Sequence, residues 1–342
     1  MKKPKSSQSL LFFSLTWEFL NEYLPLQAGR SPATIESYRD SLTVFRRYLT
    51  QERRISISKF GFVDCTKDCV FDFRDYLVRN CNQPSSINVR ITALRAYLNF
   101  AADKDISIQS VAMSISKIPP CKVIQKEKDV LSEEALAAIL SAPKQTKMGL
   151  RDRAMLITLY DSAVRVSELL DVRLGDINLD SEYPCILFRG KGNKERRVQI
   201  TEKSVNHLKQ YLQIFHQDSP RTAYLFSTTI KGKTDKMSEG NVQRIISQYA
   251  DIARKTYPNM PTAVHPHMFR RTRATNLYQD GVALELVSAI LGHAHLETTK
   301  IYAKPSNKQI RHAMESVQTP ISDEEPLWVG SEDEMARLCG LR

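Results

Sequence analysis

The chain has 342 residues, 42% hydrophobic and 25% charged, with a formal net charge of +11 and a pI near 9.3. That length accommodates two domains of ordinary size, and that composition belongs to a soluble globular protein. The positive surplus points to a polyanionic partner, of which nucleic acid is the commonest.

No stretch approaches the roughly 20 apolar residues of a membrane helix. The apolar run from Leu10 to Leu15 follows Lys2, Lys3 and Lys5, but Trp17, Glu18, Asn21 and Glu22 interrupt it too soon for a secretory signal. A cytoplasmic protein is expected. The six cysteines (Cys65, Cys69, Cys81, Cys121, Cys185, Cys339) are scattered, without a CxxC pair. Cys65 and Cys69 suit one helical face, but no second pair completes a metal site, so reduced thiols are expected.

Taken in order, residues 11–25 carry a helical apolar stripe (Leu11, Phe12, Leu15, Phe19, Leu20, Leu24) that Pro25 is expected to close. Ser31-Pro32 reads as an N-cap followed by proline at the first helical position, ahead of Ile35, Tyr38, Leu42, Phe45, Tyr48 and Leu49. A third helix is predicted from Lys67 to Arg79, and a fourth from Pro84 to about Ala102. Four such helices form a small bundle. Its polar faces carry Arg39, Arg46, Arg47, Arg53, Arg54, Arg79, Arg90 and Arg95. A solvated face explains any one of them; together, interleaved with tyrosines, they suit a clamp on a phosphate backbone.

The pattern breaks between Ile115 and Val130, where Pro119-Pro120 and alternating charges predict an interdomain linker. Ser132, followed by Glu133 and Glu134, then caps a new helix through residue 141. A largely apolar helix is predicted from about Leu150 to Asp161, and a short one after Arg165. The period then changes. Cys185–Phe188 and Arg196–Ile200 flank Gly190-Lys191-Gly192-Asn193-Lys194, which reads as a β-hairpin. Helices follow over 201–215, 238–254, from His265-Pro266-His267 onward, and over 284–291 with Gly292 as its stop. From Thr319 the tail is acidic, with Trp328, Met335, Leu338 and Leu341 as apolar anchors.

Chemistry concentrates in the second half. His267 and Arg270 in HPHMFRRTRAT stand three apart, on one helical face, and such a pair can hold a phosphate. LGHAHLETTKIY places Tyr302 after His293. A free tyrosine is a poor nucleophile, with a pKa of about 10, so an attack by Tyr302 needs neighbours that stabilise the developing charge. Arg165 in YDSAVRVSELL and Lys191 in GKGNKERRV are the other candidates. Each residue alone has an ordinary structural explanation; the signal lies in their joint order.

That order, Arg, Lys, His-x-x-Arg, Leu-Gly-His, Tyr, resembles the catalytic domain of the tyrosine recombinases, the phage integrase and Xer-like family, from about residue 130 to 316. Ser31, Thr34, Tyr38, Leu42, Phe45, Tyr48 and Leu49 resemble that family's core-binding domain. The implied fold is mainly α with a small β-hairpin or sheet: a helical bundle plus an α+β catalytic domain, closing as a two-domain DNA clamp. The implied division is 1–115 (core-binding), 116–130 (linker), 131–316 (catalytic) and 317–342 (acidic tail, docking on a neighbouring protomer). Arg271 stands where the family often has a second histidine, and Ala163 where a glycine is common before the first arginine.

The resemblance implies roles. Tyr302 attacks a DNA phosphodiester and takes the 3′ phosphate, freeing a 5′ hydroxyl. Arg165 and Arg270 hold the non-bridging oxygens. His267 hydrogen-bonds the phosphate and takes the tyrosine proton, His293 adds a hydrogen bond, Lys191 protonates the departing oxygen, and Glu168 is a supporting acid. No metal or nucleotide cofactor is expected. The implied partners are double-stranded DNA sites and three further copies of the chain in a homo-tetramer on two of them, with an accessory directionality factor left open. Integration and excision, transposition and chromosome-dimer resolution also stay open. A type IB topoisomerase, a DNA-binding accessory protein with a decayed site and a basic scaffold whose motif match is accidental are the rival readings.

Overall fold

A computed structural model of the protein describes residues 11–124, 129–190, 194–293, 295–302, 305, 307–316 and 331–341. The chain divides into two compact units, Met1–Glu127 and Lys128–Arg342. Each is built around its own apolar cluster.

In the first unit, Leu11 and Phe12 are not helical. Leu11 bridges Gly61, and the Phe12 N–H donates to the Phe60 carbonyl at 2.9 Å. The helix starts as α1 (Thr16–Glu18) and widens into a π-helical stretch, Phe19–Gln27, that contains Pro25 instead of ending at it. A proline ring clashes with the carbonyl four residues back and supplies no N–H; a wider turn relieves both demands. Accordingly the Ala28 N–H reaches back five residues, to the Tyr23 carbonyl.

Helix α2 (Pro32–Arg47) is capped by the Ser31 hydroxyl, which accepts from the Thr34 N–H. Then come α3 (Lys67–Arg79), capped by Thr66, and α4 (Pro84–Lys104). A further helix unanticipated from periodicity, α5 (Gln109–Ser116), packs on α4. The core is aromatic: Phe12 lies within 5.0–5.6 Å, centroid to centroid, of Phe13, Phe45, Phe60, Phe62 and Tyr97. Part of the expected linker belongs to this unit. Ile118 is buried, and the Asn88 amide exchanges two hydrogen bonds with the Cys121 backbone, at 2.7 and 2.9 Å.

The second unit opens with α6 (Glu133–Ser141), where the Ser132 hydroxyl accepts from the Ala135 N–H. Next are α7 (Lys147–Ser162) and α8 (Val166–Leu170). An antiparallel sheet follows in the order β1 (Ile177–Asn178), β2 (Cys185–Arg189), β3 (Glu195–Gln199). The expected hairpin is β2–β3, paired from Cys185 with Gln199 to Arg189 with Glu195, and closed by the Gly190 N–H to the Lys194 carbonyl at 2.8 Å. Ile186, Phe188 and Val198 face the core.

Helix α9 (Glu202–Phe215) leads to a second hairpin, β4 (Ser227–Ile230) and β5 (Lys233–Lys236), which periodicity missed. Then come α10 (Glu239–Arg254), capped by Ser238, α11 (Pro266–Gln279) and α12 (Leu284–Leu291). Short α13 (Glu297–Lys300), α14 (Asn307–Ser316) and α15 (Glu332–Leu338) complete the described elements. Of the expected tail, residues 317–330, with Trp328, lie outside the described residues; Leu338 and Leu341 are exposed. No helix among the described residues is long and apolar enough to cross a membrane.

Candidate active site

Arg270 is the centre of the site. Pro266 starts α11, its fixed φ suiting the first helical position. Four residues on, Arg270 is only 2% exposed. Its Nη1 donates to the Ala163 carbonyl at 2.7 Å, and its Nη2 donates to the Leu291 carbonyl and to His293 Nε2, both at 2.9 Å. The guanidinium thus joins the ends of α7 and α12. Both ends turn through left-handed conformations, Ala163 at φ 50° and Gly292 at φ 65°. Burial, then the charge of Arg165 and more weakly that of Arg196, pulls the Arg270 pKa down to about 10, against the opposing charges of Glu168 and Tyr302. Arg270 remains a cation at neutral pH.

His293 follows the Gly292 turn. Its Nε2 accepts from Arg270, so the ring proton sits on Nδ1 and is donated to Thr299 Oγ1 at 2.8 Å. Thr299 is fully buried. Burial, then the charges of Arg270, Arg165 and Arg196, pushes the His293 pKa down to about 4, and the imidazole is neutral at pH 7. Its ring lies nearly parallel to that of Tyr302, with centroids 6.1 Å apart and planes at 22°. Tyr302 follows α13, its N–H bonded to the Thr299 carbonyl at 2.9 Å. Its half-buried ring packs on a small cluster of Ala163, Ala274, Val287 and Leu291.

Arg165 precedes α8 and is oriented by Glu168. The Glu168 carboxylate accepts the Arg165 backbone N–H at 3.0 Å and Arg165 Nη1 at 2.8 Å. It also accepts Arg196 Nη2, from β3, at 2.6 Å. Burial alone would raise the Glu168 pKa, but the bonds from Arg196 and Arg165 outweigh it and hold the carboxyl below its ordinary range. The Glu168 side chain is 5% exposed and that of Arg165 is 40% exposed. One face of Arg165 therefore stays open to an incoming anion.

Behind the pocket, Asp161 ties three elements together. It accepts the Thr201 N–H at 2.7 Å, the Ser204 hydroxyl at 2.6 Å and Arg273 Nη2 at 3.3 Å. This anchors the start of α9 and the middle of α11 to the end of α7. His267 is exposed in the first turn of α11, one turn before Arg270. Arg271, where the resemblance suggests a histidine, contacts His265 Nε2 at 3.3 Å. Lys191 lies outside the described residues.

The structure thus gathers Arg165, Glu168, Arg270, His293 and Tyr302 around one cationic pocket, which suits stabilisation of an oxyanion beside a phenol. Among the described residues no group of His, Cys, Asp and Glu is arranged to hold a metal ion. Sequence reasoning passed over two participants. Arg196 shares the inner face of β3 with Val198, an alternation visible in ERRVQI. Thr299 was visible only as one of two threonines before the tyrosine.

The arginines predicted as a phosphate clamp divide in their local roles. Arg46 and Arg47 are exposed in the last turn of α2. Arg39 is half-exposed beside Glu36 at 3.4 Å and Asn21 at 3.5 Å. Arg90 reaches Asn82 at 3.5 Å. Arg95 donates to the Ile115 and Ile118 carbonyls, closing the end of α5.

Comparison with known proteins agrees with this architecture. Residues 129–309 match the Phage integrase family, and residues 18–105 match its N-terminal SAM-like domain. The tyrosine recombinase XerC of Staphylococcus haemolyticus is 31% identical over 293 residues, 86% of this chain and 93% of that protein. The tyrosine recombinase XerD of Staphylococcus epidermidis is 30% identical over 300 residues, 86% of this chain and 95% of that one. Among solved structures, the Tn1549 transposon integrase in complex with a circular intermediate DNA superposes with a TM-score of 0.67, at 15% identity, over 90% of this chain and 100% of that one. The XerH recombinase bound to its difH substrate gives 0.63, at 21% identity, over 82% and 78%. With its domain matches, its relatives and its fold in agreement, the chain belongs to the phage integrase family of tyrosine recombinases, enzymes of DNA recombination.

Proposed function

We propose that this recombinase acts at specific DNA sites through a covalent phosphotyrosine, formed by Tyr302, without metal or nucleotide. The Tyr302 oxygen attacks the phosphorus; the bond to the 5′ oxygen breaks, leaving a 3′-phosphotyrosyl link and a free 5′ hydroxyl. The link conserves the phosphodiester, so a different 5′ hydroxyl can attack it and rejoin the strand. Arg165 and Arg270 stabilise the charge on the non-bridging oxygens. His293 donates to the same phosphate from Nε2 once Arg270 turns to the anion and the ring proton moves to that nitrogen, the Thr299 hydroxyl then donating to Nδ1. His267 takes the tyrosine proton, and Lys191 protonates the departing 5′ oxygen. Glu168 orients Arg165.

The observation that carries this reading is the Arg270–His293–Tyr302 arrangement: a buried cation bonded to an imidazole that stacks on the phenol. The Ala163 and Leu291 carbonyls fix this cation in place without neutralising it, and a buried charge left unneutralised is unfavourable until an anion enters. Double-stranded DNA is the partner that the net charge of +11 favours. Four copies on two sites is the assembly, by analogy with the λ integrase tetramer bound to a Holliday junction, whose fold this chain shares with a TM-score of 0.66.

Covalent trapping tests the reading. Nicked suicide duplexes drawn from the DNA flanking the gene are mixed with protein in the absence of metal and nucleotide, then run on a denaturing gel. A protein-linked band is expected from the native chain and none from Tyr302→Phe, with duplex affinity preserved. A band that persists in Tyr302→Phe assigns the nucleophile elsewhere.

A further inference from the structure

Arg196 stands in the pocket without a part in the reaction proposed above. It sits on β3 opposite Phe188, and its side chain is only 16% exposed. Its Nη2 donates to Glu168 Oε2 at 2.6 Å, while Glu168 Oε1 accepts from Arg165 Nη1 at 2.8 Å. The same guanidinium lies against the Gly292 turn. A Cβ on Gly292 would come within 2.8 Å of Arg196 Cζ, Nε and Nη1. At the neck of the hairpin, a Cβ on Gly190 would stand 3.4 Å from both Arg196 Nη1 and Glu168 Oε1. One planar group therefore touches the hairpin neck, the carboxylate that holds Arg165, and the turn that presents His293.

We infer that Arg196 is a positioning residue of the recombination chemistry. It locks the Glu168 carboxylate in the orientation that aims Arg165, and it pins the Gly292 turn that sets His293. The inference rests on the Tyr302 reaction proposed above. Ion-pairing to Glu168 alone does not account for the arrangement, because Arg165 already supplies that carboxylate with a cation and a backbone N–H. Nor is hydrogen bonding the explanation of its depth: Arg196 Nε is buried with no partner among the described residues. The contact requires a flat group. A guanidinium presents a rigid plane to a glycine backbone while one nitrogen forks to a carboxylate, and an ammonium on a flexible stem does not. It also requires glycine at position 292, where φ is 65° and the space a side chain would fill is occupied. Without Arg196, Glu168 keeps only Arg165, and both can swing toward solvent.

The expected consequence is loss of rate with DNA binding intact. A misplacement of about 1 Å in a catalytic group costs on the order of 100-fold in rate. Single-turnover trapping on the suicide duplex is measured for Arg196→Ala, Arg196→Lys, Glu168→Gln and the double variant, alongside duplex affinity and thermal melting. Arg196→Lys keeps the charge beside Glu168 and serves where Arg196→Ala does not fold. Supporting results are a slower covalent step in Arg196→Lys at native affinity, and a double variant no slower than the slower single. A native cleavage rate in Arg196→Lys overturns the inference, and so do Arg196→Ala and Glu168→Gln effects that multiply. If Tyr302→Phe still traps DNA, the underlying reaction fails instead, whatever the Arg196 variants do.

Discussion

In the amino-terminal unit, Arg53 reaches Asp72 at 2.6 Å and Arg79 reaches Glu52 at 3.1 Å, with both partners of each pair at least 40% exposed. In the carboxy-terminal unit, Arg270 is buried, the Arg196 side chain is 16% exposed, and both share their surroundings with Arg165 and the Glu168 carboxylate. The same residue type is used in opposite ways. Exposed pairs contribute about 0–1 kcal/mol and are screened by salt. The pocket guanidiniums are held against electrostatic and desolvation cost, Arg270 by two backbone carbonyls and Arg196 by Glu168. An anion such as a phosphate relieves that cost. Net charge thus fits a DNA partner, while burial of charge fits the place proposed for the chemistry.

Replacing Arg270 breaks the comparison most severely. Arg270→Ala should lower the covalent step by about 1,000-fold, the upper range for removing one oxyanion donor. It should also lower stability, since the Ala163 and Leu291 carbonyls lose their donor, at about 1–3 kcal/mol for a buried group left unpaired. Arg79→Ala, on the exposed pair, should change stability by less than about 1 kcal/mol. Suicide-substrate trapping and urea unfolding measure both. Equal losses from the two substitutions would show that burial is not what separates the two sets of arginines.

His293 sharpens the comparison through pH. Its folded pKa, pushed down to about 4 from an ordinary 6.5, means the unfolded chain binds the proton first as pH falls. The neutral ring's contribution to stability is complete above the unfolded value of 6.5 and is lost progressively as pH falls toward 4. His293→Asn does not titrate. The stability of the native chain should therefore fall relative to that variant across this window and level off below it. Paired melts at stepped pH measure the difference. A constant gap would mean that the folded imidazole accepts protons freely, and that Arg270 does not hold its Nε2 lone pair.

Much of this was legible in the chain. Ser31, Ser132 and Ser238 announce helices because each hydroxyl accepts an N–H three residues on, a local event that sequence spacing records. The pocket was legible through the joint order of its residues. The π-helical stretch was not, because a proline signals a break and gives no sign that the helix will widen around it. The β4–β5 hairpin was not, because β5 is exposed along its whole length and has no buried face to write alternation into the sequence. Arg196 and Thr299 were passed over because their partners are 28 and 6 positions away, across turns whose geometry spacing does not encode.

On the surface side of the comparison, Arg46 and Arg47 are exposed at the end of α2. If they hold phosphates as proposed, replacing both with Ala should make the salt dependence of duplex binding shallower by about 1 for each phosphate no longer neutralised. The covalent step at saturating DNA should not change. Binding titrations across salt concentrations read the slope. An unchanged slope would remove these two residues from the interface, and a slower covalent step would place them nearer the chemistry than their exposure suggests.

Ala163→Gly should have the smallest effect, since three terms oppose one another. Ala163 sits in the left-handed region, at φ 50° and ψ 24°, where a Cβ costs about 1–2 kcal/mol. Glycine relieves that strain. It also removes a fully buried methyl that packs in the cluster under Tyr302, worth about 0.8 kcal/mol. It loosens the unfolded chain by a further 0.4–1 kcal/mol or so. The sum lies within about 0.8 kcal/mol of zero, so melting should move little. The cleavage rate should hold as well, because the Ala163 carbonyl, not its side chain, carries the bond to Arg270. A clear rise in melting temperature would show that backbone strain at the end of α7 outweighs the packing beneath Tyr302. A clear fall would show that the methyl is what seats the tyrosine ring, and the covalent step should then fall with it.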